Sequence, residues 1–242
     1  LMIYEDPLEG HQYAMGVDTA RGIGGDYSAF SVVDVTSVPY KLVAKYRDNR
    51  IAPMLFPNVI NKVAKDYNTA HVLVEINDIG GQVSDILHVD LEYDNILYTA
   101  KQTNKQYLSP GFGKAAQRGV RMTKQVKRQG CFALKSLLEE NKLLVFDAET
   151  ISEFSTFIEK NGSYTADEGY HDDLVMSLVL FGWLSSNQYF RELTDVNVRE
   201  KMYKQQMLQI EEELTPFGFI DDGSEETMFV EDNVVWSTDK NL

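Results

Sequence analysis

Cysteine is almost absent. Cys131 stands alone in 242 residues, so no internal disulfide can close and no cysteine zinc site can be built. The four histidines are scattered, which also argues against a histidine-based zinc site. Cys131 reads as a small buried hydrophobe, and a reduced, intracellular setting is the expectation. Long apolar runs are missing too. None approaches the ~20 residues that span a bilayer, and no basic segment leads into an apolar stretch as a secretory signal would. There is no Gly-x-x-x-x-Gly-Lys-Ser/Thr phosphate loop. The glycines at 22–25 lack the Gly-x-Gly-x-x-Gly spacing and precede a strand pattern rather than a helix, which excludes a dinucleotide-binding turn. An actin-like or sugar-kinase fold also opens with strand, aspartate, glycines and strand. It would need a second, related phosphate loop, and the sequence has none.

Positive charge is in deficit overall: 23 Lys and Arg face 37 Asp and Glu, for a net charge of −14. The deficit is uneven. Residues 101–142 hold ten Lys or Arg and two Glu, whereas residues 191–242 hold five Lys or Arg and thirteen Asp or Glu. A phosphate backbone responds to a local basic stripe, not to the global balance.

Apolar residues make up 43% of the chain, enough for a sizeable core. Residues 1–11 read as a linker or arm. Residues 13–18 form a buried strand pattern ending on Asp18, and residues 19–27 a glycine-rich turn. Residues 29–35 and 41–46 read as two further strands. Residues 54–67 have helical apolar spacing, 71–76 read as a buried strand with Glu75 at its end, and 80–87 as a helix. A short strand is expected at 96–98, a long loop over 101–120, a helix over 122–141 and a brief strand at 143–146. Asn161-Gly162 marks a hairpin joining 154–160 to 163–166. An apolar helix over 171–185 opens on Asp172 and Asp173. Beyond residue 186 the sequence is polar, with a helical pattern at 198–214 and an acidic stretch at 215–242. The domains expected are therefore an arm (1–11), a folded domain (12–186) and a helical, acidic appendage (187–242).

Three antiparallel strands, a helix and a fourth strand beside the first give an α/β fold of the ribonuclease H-like (RuvC-like) kind, a mixed sheet flanked by helices. In that arrangement Asp18 and Glu75 close neighbouring strands, and Asp172 and Asp173 open a helix that can pack at the same edge. Carboxylates converging from distant positions repel one another unless a cation lies between them. Hard oxygen donors suit Mg²⁺ or Mn²⁺, and two such ions can serve phosphodiester hydrolysis. Singly, each feature has a plainer explanation: a turn-forming Asp18, an Asp172-Asp173 helix cap, an Asx turn at Asp26. Together, and in this order, they point to a metal-dependent nuclease.

Three segments carry a resemblance. Gly16-Val17-Asp18-Thr19-Ala20-Arg21-Gly22-Ile23-Gly24-Gly25-Asp26-Tyr27-Ser28-Ala29, Val74-Glu75-Ile76-Asn77 and Gly169-Tyr170-His171-Asp172-Asp173-Leu174-Val175-Met176-Ser177-Leu178 resemble the C-terminal nuclease domain of the large terminase subunit, the DNA-packaging motor of T4-like tailed bacteriophages. The resemblance spans residues 12–186. It implies endonuclease activity on concatemeric double-stranded DNA, with Asp18 and Glu75 as the first two metal ligands. Asp173 or Asp172 is the third, with Asp173 favoured, and Asp26 plays a supporting part. It also implies an N-terminal packaging ATPase in the full-length chain. The missing phosphate loop and the start at Leu1 lead us to expect an excised nuclease half. Portal protein and small terminase subunit are the implied partners, and the host cytoplasm, at the procapsid portal, is the implied location. No membrane partner is expected.

DNA contact is expected from Lys114, Arg118, Arg121, Lys124, Lys127 and Arg128, with Lys124, Lys127 and Arg128 on one helical face. Two rival readings remain: another ribonuclease H-like nuclease such as a junction resolvase, and a non-enzymatic acidic assembly module.

Overall fold

The structure is a computed structural model that describes residues 1–102, 105–111, 116–160, 162–213, 228–231 and 234–237. Its contacts divide it into two units, Leu1–Arg199 and Glu200–Leu242.

The first unit is built on a mixed sheet. Strands β1 (Met2–Ile3), β2 (Tyr13–Asp18), β3 (Ser28–Asp34), β4 (Tyr40–Asp48) and β5 (His71–Val74) lie in the order β1-β4-β3-β2-β5, and β9 (Leu143–Leu144) pairs with β4. β2, β3 and β4 run antiparallel, and β5 lies parallel to β2 with Val17 opposite Val74. The parallel pair is joined by α1 (Phe56–Asp66), the crossover such a connection requires. This is the mixed sheet expected from the sequence.

Side-chain parity sorts the strands between two cores. Tyr13, Met15 and Val17 pack with Phe56, Ile60 and Val63 of α1. On the opposite face, Ala14 packs with Val175, Leu178 and Val179 of α5 (Asp173–Ser186). α5 is buried along nearly its whole length because it lies between the sheet and α3 (Lys124–Glu139). Small residues allow the close approach. A Cβ on Gly16 would stand 2.2 Å from the Ser177 carbonyl oxygen, and one on Gly182 would stand 2.6 Å from that of Gly130 in α3.

β4 contains a bulge. Val32 pairs with Ala44 but Val33 pairs with Leu42, so Val43 is an extra residue. The alternation slips by one. Leu42 faces α5, whereas both Val43 and Ala44 pack on the α1 side. Downstream, Tyr46 packs on the α1 side, and Lys45 and Arg47 turn toward α4 (Ala148–Thr156) and α5.

Several elements differ from expectation. The arm is partly strand, since Met2 and Ile3 pair with Lys45 and Ala44. The expected strand at 96–98 is divided: Ile96 makes a bridge to Val72, and Tyr98 opens a longer strand. The loop expected over 101–120 is instead, in its described part, a small sheet of β6 (Tyr98–Gln102), β7 (Lys105–Ser109) and β8 (Gln117–Arg118). Its Lys and Gln side chains conceal the alternation. α2 (Gly80–Asp85) continues through a π-turn at Ile86–Asp90. Residues 148–156 form α4, capped by Asp147, which accepts the Thr150 N–H at 2.7 Å. The hairpin therefore begins later, as β10 (Phe157–Lys160) with β11 (Ser163–Ala166). Asn161 lies outside the described residues.

α6 starts at Gln188 and runs to Glu213, not from 198. The second unit holds the last part of α6 and a hairpin, β12 (Met228–Glu231) with β13 (Val234–Ser237). Among the described residues no helix is long and apolar enough to cross a membrane.

Candidate metal centre

Asp18 and Glu75 reach the same place by parity. Asp18 lies on the Ala14 face of β2, and Glu75 follows β5 on the Leu73 face; both faces look toward α5. The Glu75 N–H donates to the Val17 carbonyl at 2.9 Å, which keeps the two carboxylates level. Gly80 lets the chain turn tightly behind them. A Cβ there would stand 1.8 Å from the Glu75 carbonyl oxygen and 2.7 Å from Thr19 Oγ1.

The Asp18 carboxyl is pushed well above its ordinary value. Desolvation is the main cause, followed by repulsion from Glu75, with which it shares a hydrogen bond, and then from Asp173 and Asp172. Glu75 is raised too, chiefly by desolvation, with Asp172 adding to the shift; the Asp18 hydrogen bond and Lys127 oppose it. Both shifts favour sharing one proton between the two carboxyls over carrying two charges. Asp18 feels the other three carboxylates expected from the sequence.

α5 delivers the other two, and neither acts as a cap. Asp172 occupies the N-cap position without a side-chain cap bond. Its Oδ2 instead accepts the Ala166 N–H at 3.2 Å and lies 4.0 Å from Lys127 Nζ. The free amides of the first turn, Leu174 and Val175, donate to Glu153 Oε2 of α4 at 2.9 and 3.1 Å. Asp173 is buried. Its Oδ1 accepts the Tyr27 N–H at 3.0 Å, and its Oδ2 is buried without a hydrogen-bond partner. The Arg47 guanidinium Nη2 at 3.8 Å and the His171 imidazole Nδ1 at 3.7 Å are its basic neighbours. The Asp173 carboxyl is raised, first by desolvation and also by Asp172, while the Tyr27 amide, Arg47 and His171 pull it down. As the side chains stand, no three His, Cys, Asp or Glu among the described residues are grouped tightly enough to grasp one ion. The cluster is a touching pair, Asp18 with Glu75, beside a second pair, Asp172 with Asp173.

Asp26 is exposed. It lines a cleft of about 380 Å³ together with Glu75, Asn77, Thr19, Arg21 and Asp78. Asn77 clamps the neighbouring segment: its Nδ2 donates to the Met122 carbonyl at 3.0 Å and its Oδ1 accepts the Met122 N–H at 3.1 Å. Val120 bridges Glu75. The start of the basic stretch is thus fixed beside the carboxylates.

The six basic residues separate. Lys114 lies outside the described residues. Arg118 pairs with Asp85 at 2.8 Å, and Arg118 and Arg121 line a cleft of about 570 Å³ that includes Ile76 and Gly81. Arg121, Lys124 and Arg128 are exposed, and none has a carboxylate partner among the described residues. Lys127 is half-buried and turned inward, near Asp172 and Glu75. Three residues escaped the sequence reading: Arg47, Glu149 and Glu153. Glu149 and Glu153 are four apart on α4 and face Arg47 together. Asp147 ahead of Thr150 was the available cap signal for that helix.

The model of the terminase RNaseH-like domain family matches residues 15–181. Among solved structures, the fold is similar to the large terminase nuclease from thermophilic phage G20c with bound magnesium. Identity is 20% over 77% of this chain and 87% of that one, at a TM-score of 0.57. The same nuclease with bound zinc is 22% identical over 77% and 87%, at 0.53. The large terminase nuclease domain of Thermus phage P74-26 is 21% identical over 74% and 82%, at 0.54. These likenesses show a ribonuclease H-like fold. The finer T4-like kinship rests on the sequence resemblance alone.

Proposed function

The chain belongs to the terminase RNaseH-like domain family, and on that premise we propose that it is a metal-dependent endonuclease cutting concatemeric double-stranded phage DNA during genome packaging. One observation carries this reading. Three separate elements bring Asp18, Glu75, Asp172 and Asp173 to one sheet face, where their mutual repulsion and desolvation raise Asp18 far out of its usual range. A protein needing only stability would gain from replacing them. Nor are the aspartates spent as caps, because Glu153 satisfies the α5 amides instead.

The donor set fits Mg²⁺ or Mn²⁺: all ligands are carboxylate oxygens, and Asp173 Oδ2 is buried and unbonded. Asp18, Glu75 and Asp173 are the proposed principal ligands, Asp172 a further one, and Asp26 a supporting residue at the cleft wall. Solved nuclease structures of phage G20c carry magnesium, cobalt or zinc, which supports divalent binding here. When bound, a pair of ions supplies Lewis-acid stabilisation of the attacking and leaving oxygens of an in-line displacement. The protein's own part is to hold the carboxylates. The Tyr27 amide orients Asp173, the Ala166 amide and Lys127 orient Asp172, and β2 and β5 fix Asp18 against Glu75. Arg121, Lys124 and Arg128, with Arg118 in the adjoining cleft and Lys114 in the same stretch, are the proposed phosphate contacts. Such contacts position a duplex without reading its sequence.

In the full-length chain a packaging ATPase would precede this domain. Portal protein and small terminase subunit are the proposed partners, in the host cytoplasm at the procapsid portal. Supercoiled plasmid incubated with the protein and Mg²⁺ or Mn²⁺ tests the reading. Wild type should nick and linearise it, and Asp18→Asn should not. A wild-type protein that leaves plasmid intact with both metals would overturn the proposal. Preferential cutting of a four-way junction added in parallel would favour a resolvase.

A further inference from the structure

Asp173 is surrounded by a charge network that the four carboxylates do not explain. Arg47 is only 14% exposed in its side chain. Its Nη1 lies 2.8 Å from Glu149 Oε1 and 3.2 Å from Glu153 Oε1, whereas its Nη2 stops 3.8 Å from Asp173 Oδ2. The guanidinium lies 3.8 Å above the Tyr27 ring, and the Tyr27 backbone N–H holds the other Asp173 oxygen. Glu153 works in two directions. Oε2 caps α5 through Leu174 and Val175, and Oε1 faces Arg47 as an ion pair without a hydrogen bond. Lys45, itself buried, ties Glu149 at 2.5 Å.

An arginine this close to a buried carboxylate would ordinarily form a bidentate pair with it. Here it does not, and Asp173 Oδ2 is left without a hydrogen bond. The two carboxylates of α4 and the Tyr27 face together hold the guanidinium back. His171, 3.7 Å from the same oxygen, is 43% exposed and packs edge-on against the Tyr27 ring; Arg47 is enclosed.

We propose that Glu153 and Arg47 are positioning residues for Asp173: Glu153 anchors both the start of α5 and the Arg47 guanidinium, so that Asp173 Oδ2 stays open to a divalent cation instead of being neutralised by arginine. This rests on the metal reading above and extends it to two residues outside the proposed ligand set.

Glu153→Gln separates the two duties of Glu153. The glutamine Oε1 can still accept both α5 amides, while its NH₂ group faces Arg47 and no longer attracts it. Arg47 then moves onto Asp173 and competes with the cation. Mn²⁺ binding followed by titration calorimetry should weaken about tenfold in Glu153→Gln. Cleavage should be recovered largely at high Mn²⁺, whereas a merely structural lesion lowers the rate at every Mn²⁺ concentration. Adding Arg47→Gln to Glu153→Gln removes the competitor and should return Mn²⁺ affinity toward wild type. If Glu153→Gln does not fold, Glu149→Gln loosens Arg47 from the exposed side and should weaken Mn²⁺ binding in the same direction, by about threefold. Wild-type affinity in both single variants would overturn the proposal, as would a double variant no tighter than Glu153→Gln. A wild type that binds no Mn²⁺ overturns the metal reading itself, and this inference with it.

Discussion

Replacing Asp18 by asparagine should stabilise the metal-free protein at neutral and alkaline pH. In the folded chain the Asp18 carboxyl is raised well above its ordinary 3.8. The folded state therefore keeps a proton that the unfolded chain has already released. Stability is fully present below pH ~4 and falls as pH rises toward the elevated value, by up to about 1.4 kcal/mol per pH unit. The size can be bounded from the site. Two unit charges about 4 Å apart at an effective dielectric of about 20 repel by about 4 kcal/mol. Lys127 relieves part of the repulsion at Glu75, so a gain on the order of 2–4 kcal/mol is expected for Asp18→Asn at pH 8. For a unit of this size each kcal/mol moves Tm by roughly 2–4 °C. Thermal melts in EDTA from pH 5 to 9 should thus show wild type losing Tm with rising pH while the variant stays flatter. Mn²⁺ at about 1,000 times its Kd should reverse the order, since it adds about 4.1 kcal/mol to the form that binds it. Parallel Tm-versus-pH curves, or a variant less stable than wild type at pH 8 in EDTA, would refute the reasoning.

Other consequences are equally open to measurement. Changing Arg121, Lys124 and Arg128 together to alanine should weaken duplex binding and reduce the slope of log Kd against log salt by roughly 0.9 for each phosphate no longer neutralised; an unchanged slope would remove these residues from the interface. Gly182→Ala places a Cβ 2.6 Å from the Gly130 carbonyl. The resulting overpacking of about 1–3 kcal/mol should outweigh the roughly 1 kcal/mol gained in helix propensity. Its Tm should fall by several degrees and its Mn²⁺ affinity with it, because α5 carries Asp172 and Asp173; an equal or higher Tm would contradict the packing.

Much of the sheet was legible because its strands are buried on both faces. β2, β3 and β5 are short apolar runs, and Asp18 and Glu75 stand out as charges at their ends. α5 was legible from sheer apolarity. What stayed hidden depends on relations between elements. The basic residues at 124, 127 and 128 share a face of an isolated helix, yet packing against α5 turns Lys127 inward and leaves Lys124 and Arg128 in solvent. The strands at 98–118 carry lysines and glutamines, so no alternation betrays them. The cap alternative for Asp172 and Asp173 stayed open because the sequence cannot show that Glu153, on another helix, performs that task. Arg47 was not singled out: the strand pattern read from the sequence stops at residue 46, and regular alternation from Leu42 would aim residue 47 away from α5.

The slip in parity has a genetic consequence. The extra residue at Val43 divides β4 into two stretches that obey opposite parity rules. Losing Val43 would only remove the bulge: Ala44 would follow Leu42 in regular alternation, Tyr46 would keep its stack with Phe30 and Phe56, and Arg47 would stay on the α5 side. A one-residue insertion between Ala44 and Tyr46, by contrast, would turn Tyr46 toward the acidic cleft and Arg47 into that aromatic stack, damaging core and site together. Homologues lacking the extra residue would be expected to carry their arginine one position earlier in the strand, or none at all.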